Sequence, residues 1–160
     1  MEKPTGVTRS AFSVYLLHVT LSSKMSNSAV APLQDVTTSK YKVGQVWAYQ
    51  TRPSEHHSIL TVVKVELQHG TAVAVHIHVD GLKLKPAEPG GLPGTTASHL
   101  PFSEEALDAS VTNMVDHVVV LPDFEEGYMM WREAFLEGKA GIFSLTVAEV
   151  MDFIESTMGN

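Results

Sequence analysis

Hydrophobic and polar residues alternate with a period of two along Ile59, Thr61, Val63, Val65 and Leu67, and again along Val73, Val75, Ile77 and Val79. That spacing belongs to two half-buried β-strands. A two-residue His69-Gly70 loop would set Lys64 against Val75 and Glu66 against Val73, mixing charge into the apolar row. A three-residue loop, Gln68-His69-Gly70 with Gly70 left-handed, pairs Val65 with Val73, Val63 with Val75, Thr61 with Ile77 and Ile59 with Val79, and is the expected register. The reverse face then carries Leu60, Val62, Lys64 and Glu66 against Ala72, Ala74, His76 and His78. An earlier core strand is expected over Tyr41, Val43, Val46, Trp47 and Tyr49, bent at Gly44 and closed by the turn Arg52-Pro53-Ser54-Glu55.

Beyond residue 84 the period changes. Lys85 to Leu100 holds Pro86, Pro89, Gly90, Gly91, Pro93 and Gly94 and reads as a loop. Ser103 then caps a helix with Glu104 and Glu105 in its first turn and Leu107, Val111, Met114 and Val115 as its buried stripe. His117 to Leu121 is a short β-branched run. Asp123 and Glu126 form a capping box for a second helix with Phe124, Tyr128, Trp131 and Phe135 on one face and Gly138 as its stop. Ala140 to Leu145 reads as a strand, and Thr146 with Glu149 caps a last helix that turns Val147, Val150, Met151 and Ile154 inward. The expectation is an α+β fold over residues 41–158: a small antiparallel, SH3-like curved sheet followed by about three capped helices, with one or two short added strands.

Residues 1–40 read as a flexible tail, since Ser22 to Lys40 is rich in Ser, Thr, Ala and Asn without a sustained period. Ala11 to Leu21 is apolar but too short to cross a bilayer as a helix. With Lys3 and Arg9 before it and Ala29-Val30-Ala31 after it, the stretch imitates a secretory signal, which His18, Lys24 and Pro32 interrupt. A cytoplasmic protein is therefore expected, with export the minority alternative. Met25 offers an alternative start, and Ser13 to Thr20 an added strand.

Composition narrows the chemistry. The 160 residues carry 11 basic against 18 acidic side chains, a formal charge of −7, which disfavours a broad phosphate-binding surface and makes nucleic acid an unexpected partner. With no cysteine, disulfides, thiolate zinc sites and thiol nucleophiles are excluded. His76-Ile77-His78 is the most suggestive motif, because strand alternation puts both imidazoles on one side, as ligation from a strand requires. His56 and Asp80 lie toward the same end and face, so the candidate set for a divalent transition metal is His76, His78, His56 and Asp80. Gly70 followed by five residues and His76-Ile77-His78 resembles the opening of the first cupin motif, a β-barrel family that commonly binds metal with two histidines and a carboxylate. The family's glutamate has no counterpart, since Gly81, Leu82 and Lys83 occupy its neighbourhood. Gly44-Gln45-Val46-Trp47 resembles the first hairpin of small SH3-like barrels, including toxin endoribonucleases, and implies topology only.

Other constellations have plainer explanations. No Gly-x-Ser-x-Gly elbow surrounds a serine near His56-His57-Ser58, and Gly90-Gly91-Leu92-Pro93-Gly94 lacks the Lys-Ser/Thr ending of a phosphate loop. Glu104-Glu105 and Glu125-Glu126 each sit in a helix's first turn, where the dipole accounts for them. On the second helix the face opposite the aromatic stripe, Met129, Arg132, Glu133 and Leu136, mixes charge with apolar surface and suits a protein contact. The leading expectation is a small acidic, non-enzymatic protein that binds another, basic protein as an inhibitor, immunity factor or regulator. The alternatives are a metal enzyme or small-ligand protein using the His76/His78 face, and a toxin-type nuclease.

Overall fold

The computed structural model describes residues 30–158; the Ala11–Leu21 stretch, the Ser13–Thr20 strand and the Met25 start lie outside them. Six strands, β1 (Leu33–Asp35), β2 (Gln45–Tyr49), β3 (Ile59–Gln68), β4 (Ala72–Leu84), β5 (Gly94–Ser103) and β6 (Val111–His117), precede or flank three helices, α1 (Glu104–Asp108), α2 (Glu125–Leu136) and α3 (Val147–Met158). The strands form one antiparallel sheet in the order β5-β4-β3-β2-β6, with β1 on the C-terminal end of β3. The fold is thus α+β with an open sheet.

The β3–β4 register departs from the expected one. Gln68 lies opposite Ala72, Leu67 opposite Val73 and Val65 opposite Val75, so the connection is His69-Gly70-Thr71. His69 (φ 50°) and Gly70 (φ 71°) are both left-handed, and Thr71 N donates to Gln68 O at 3.0 Å; this is the primed turn whose twist suits a hairpin. Between Val62 and Lys64 the ladder shifts by one residue, after which Val62 faces Ile77, Thr61 faces His78, Leu60 faces Val79 and Ile59 faces Asp80. A bulge at Val63 therefore reverses the strand's phase. Leu60 and Val62 join Val65 and Leu67 on the valine side of β4, while Lys64 and Glu66 stay on the imidazole side. No uniform register achieves that sorting, because the apolar positions of β3 change parity at Val62-Val63.

Four expected elements change identity. The predicted loop reaches only to residue 93: Gly94–Ser103 is a full strand along β4, its Thr95 and Thr96 suited to a pleated edge. Pro101 is tolerated because its carbonyl accepts Phe143 N at 2.9 Å on the strand's outer side, the side its missing N–H would face. The helix expected to run from Ser103 through Val115 ends at Asp108. Ser110 marks the break, its Oγ donating to Ala106 O at 2.7 Å and accepting Val147 N at 3.0 Å. Val111-Thr112-Asn113, poor helix formers, then pair with β2. Leu33–Asp35, expected in the tail, pairs with β3. Of the strand expected over Ala140–Leu145 only a single parallel bridge remains, Phe143 to Phe102. The Asp123/Glu126 capping box is not formed: Phe124 occupies the N-cap of α2 without a side-chain bond. The other caps are as expected, Ser103 Oγ accepting Ala106 N at 3.1 Å and Thr146 with Glu149 closing their reciprocal box.

Both faces of the sheet are covered at β3 and β4. Leu60, Val62, Val75, Ile77 and Val79 have no exposure and share one core with Leu107 of α1 and Val147, Val150, Met151 and Ile154 of α3. The N-terminal bend of β2 requires Gly44: its φ is +99°, and a Cβ there would meet Val118 O at 2.6 Å. The α3 helix is held by Arg52, whose guanidinium bonds Glu55 at 2.9 and 2.5 Å, Glu155 at 2.9 Å and Asp152 at 3.2 Å. The Glu55 side chain is fully buried and also accepts Lys83 N at 2.7 Å. Burial pushes the Glu55 carboxyl up, but the Arg52 and Lys83 donors outweigh it and hold the group below the ordinary carboxylate range. Arg52→Met would strand that charge, so urea unfolding at pH 7 is expected to show a loss of about 3–5 kcal/mol, far more than for an exposed arginine.

Candidate functional site

The imidazole side of β4 meets α2. Strand alternation projects Ala74, His76 and His78 toward it, and Lys64 lies directly opposite His76 on β3. Over His76 stand two aromatic residues of α2, Tyr128 with ring centroids 5.1 Å away and Trp131 at 4.8 Å, both edge-on. His99 of β5 stacks beside His76 at 5.0 Å. Helical spacing had indicated the Tyr128, Trp131 and Phe135 stripe, and all three are buried. Trp131 satisfies its indole N–H on Gly141 O at 2.7 Å.

Four polar side chains form a continuous chain inside this apolar wall. Tyr128 donates its hydroxyl proton to Glu66 Oε2 at 2.6 Å. Glu66 Oε1 lies 3.0 Å from His76 Nε2, and His76 Nδ1 lies 2.8 Å from His99 Nε2. The chain ends on His99 Nδ1, which is buried and has no hydrogen-bond partner among the described residues. Exposure is 4% for Glu66, none for His76 and 3% for His99, so protein groups must satisfy nearly every lone pair.

These contacts assign the protons once Glu66 is a carboxylate. Burial pushes the Glu66 carboxyl up, but the hydrogen bonds from His76 and Tyr128 prevail and hold it below the ordinary value. An ionised Glu66 only accepts, so His76 carries its proton on Nε2. Its bare Nδ1 then accepts from Nε2–H of His99, which leaves His99 Nδ1 a lone pair. Burial lowers the His76 pKa and overrides the favourable Glu66 charge. Burial and the neighbouring His76 push His99 well below 6.5. Burial and the Glu66 bond push the Tyr128 hydroxyl up, keeping it a donor.

The structure places the expected metal ligands apart in function. Both ring nitrogens of His76 are engaged in the chain described above. His78 Nδ1 lies 3.2 Å from Ser98 O, and its Nε2 lies 3.4 Å from Asp80 Oδ2. His56 is exposed in the turn before β3. Among the described residues no three His, Asp or Glu side chains form a set able to hold a metal ion. Glu66, His99 and Tyr128 were not singled out together from the sequence. Only the His76 position and the aromatic stripe signalled their meeting.

Two surfaces remain open. Met129, Glu133 and Leu136 of α2 are exposed, and Arg132 is half-buried at the margin of the aromatic stripe, where it acts on the Tyr128 hydroxyl. The β6 strand borders the sheet and among the described residues pairs only with β2. Its Met114 and Val115 are each 49% exposed, and Val119 and Val120 just beyond it 92% and 85%. Sequence reading missed this edge by assigning Met114 and Val115 to a helix core. No helix among the described residues is long and apolar enough to cross a membrane. The chain matches no protein-family model, no curated protein and no solved structure.

Tyr128→Phe removes one donor from a buried carboxylate and is expected to lower stability by about 2 kcal/mol. The sign of its pH effect follows from Glu66. A lowered carboxyl stabilises the fold above its unfolded value and loses that contribution as pH falls through the folded one. Removing a donor raises the folded pKa, so the variant's acid branch should begin at higher pH. Urea unfolding of both proteins between pH 4 and 7 measures both effects.

Proposed function

We propose that the protein acts by binding another protein, and that the partner adds an extended, basic segment to the free edge of β6. The observation that carries this reading is a strand edge unpaired among the described residues that bears exposed apolar side chains, Met114 and Val115 on the two faces of β6, with Val119 and Val120 just beyond it. An edge strand supplies unsatisfied N–H and C=O groups that an added strand pairs with, while alternate side chains give selectivity. Charge supports the nature of the partner. From Glu104 to Glu126 the chain carries Glu104, Glu105, Asp108, Asp116, Asp123, Glu125 and Glu126 and no lysine or arginine. That field favours encounter with a cationic segment and disfavours a second copy of this acidic chain. The α2 surface at Met129, Arg132, Glu133 and Leu136 follows residue 125 directly in the chain and adds a mixed-charge margin.

Selection of random peptides displayed against the full chain tests the reading. Enriched sequences should alternate apolar residues with Lys or Arg, and their amide-shift perturbations should centre on residues 111–117. Met114→Lys and Val115→Lys, both at exposed positions, should weaken such peptides by tenfold or more without changing the unfolding midpoint. Acidic binders, or binders whose perturbations avoid β6, would overturn it.

A further inference from the structure

We propose that the Glu66–His76–His99–Tyr128 chain is an acid-sensitive latch that holds α2 against the sheet at neutral pH and releases it when both imidazoles become protonated. The fixed contacts limit how many protons the buried chain can hold. A single N–H fits between His76 Nδ1 and His99 Nε2 at 2.8 Å. One added proton can be accommodated, by making His76 an imidazolium against Glu66 and turning the N···N bond around, which puts a proton on the partnerless His99 Nδ1. A second proton cannot. It would aim two N–H groups at each other and place two cations in ring contact away from water.

The groups around the pair reinforce this limit. From β3, Glu66 favours a cation at His76, and Lys64 opposes it, its Nζ lying 5.3 Å from the Tyr128 ring centroid. From β4, His78 is occupied with Asp80 and Ser98 O. From α2, Tyr128 is committed to Glu66, and Arg132, which acts on the Tyr128 hydroxyl, adds a further positive charge. Among the described residues Glu66 is the only carboxylate bonded to either ring, and none of them supplies a second anion to a doubly charged pair.

The part that yields is set by the fold. β3 and β4 are held by a backbone ladder from Ile59–Asp80 to Gln68–Ala72, which imidazole protonation leaves untouched. The α2 helix covers the imidazoles with Tyr128 and Trp131 and has no side-chain N-cap bond. Lifting α2 exposes both rings to water, where each takes up a proton near its ordinary value of 6.5. The open form then binds more protons than the closed one, so falling pH drives opening.

Residue-resolved hydrogen exchange of the full chain at pH 7.5 and 5.5, corrected for intrinsic rates, tests this. Opening gains one proton or two, according to whether the closed network already holds its one extra proton, so the α2 opening constant should rise by about tenfold to a hundredfold, while the amides of β3 and β4 keep their protection. A rise below tenfold would overturn the proposal, as would simultaneous loss of protection throughout the chain. His99→Leu leaves one imidazole to titrate and should show a smaller rise than the native chain; an equal rise would remove this pair as the cause. If that variant does not fold, the native-chain measurement decides alone.

Discussion

A carboxylate placed between a sheet and a helix, with almost no access to water, constrains everything around it. Glu66 is tolerable there because two donors approach from different elements, Tyr128 from α2 and His76 from β4. Each donor is itself committed. The His76 ring must hold its Nε2 proton toward Glu66, which obliges His99 to supply the next bond. Those demands fix the rotation of α2 about its axis and the register of β4 against β5 more tightly than apolar packing would. Removing either donor to Glu66 leaves a buried charge short of a partner, whereas trimming a valine of the opposite face loses contact area and leaves a cavity.

The Val63 bulge makes this arrangement compatible with an apolar core. Near the turn, Val65 and Leu67 face Val75 and Val73; beyond the bulge, Leu60 and Val62 face Val79 and Ile77. The intervening shift sends Lys64 and Glu66 to the imidazole side without dragging Leu60 and Val62 with them. The alternation of β3 and β4 was readable from the sequence, as was the opposition of the imidazoles to the valines of β4. The register was not: the turn sits one residue later than Gln68-His69-Gly70, which moves every partner near it by two, and a single-residue bulge is invisible to a strict period of two, the adjacent Val62 and Val63 being its only trace.

Elsewhere, legibility followed the strength of local signals. The aromatic stripe of α2 and the Thr146/Glu149 box of α3 have short-range causes and were legible. Residues 94–103 and 111–117 became strands for a long-range reason: β4 and β2 each offered an open edge. Gly94 and Pro101 masked the first, and the carboxylates after Ser103 suggested that the helix they begin would continue. The chemistry of the site was half legible. His76 stood out by its pairing with His78, yet its partners lie 10, 23 and 52 positions away at Glu66, His99 and Tyr128, and no spacing rule links them. The exposed edge of β6 was hidden by the same helix assignment.

The ordering of protons along the buried network decides how Glu66 is held and how many protons the closed fold can take up, and nitrogen-15 chemical shifts of the histidine rings at pH 7.5 report it directly. His76 and His99 should both appear as neutral rings protonated on Nε2, with His99 Nδ1 showing the shift of a bare acceptor nitrogen. A proton on Nδ1 of either ring, or an imidazolium at that pH, would contradict the account.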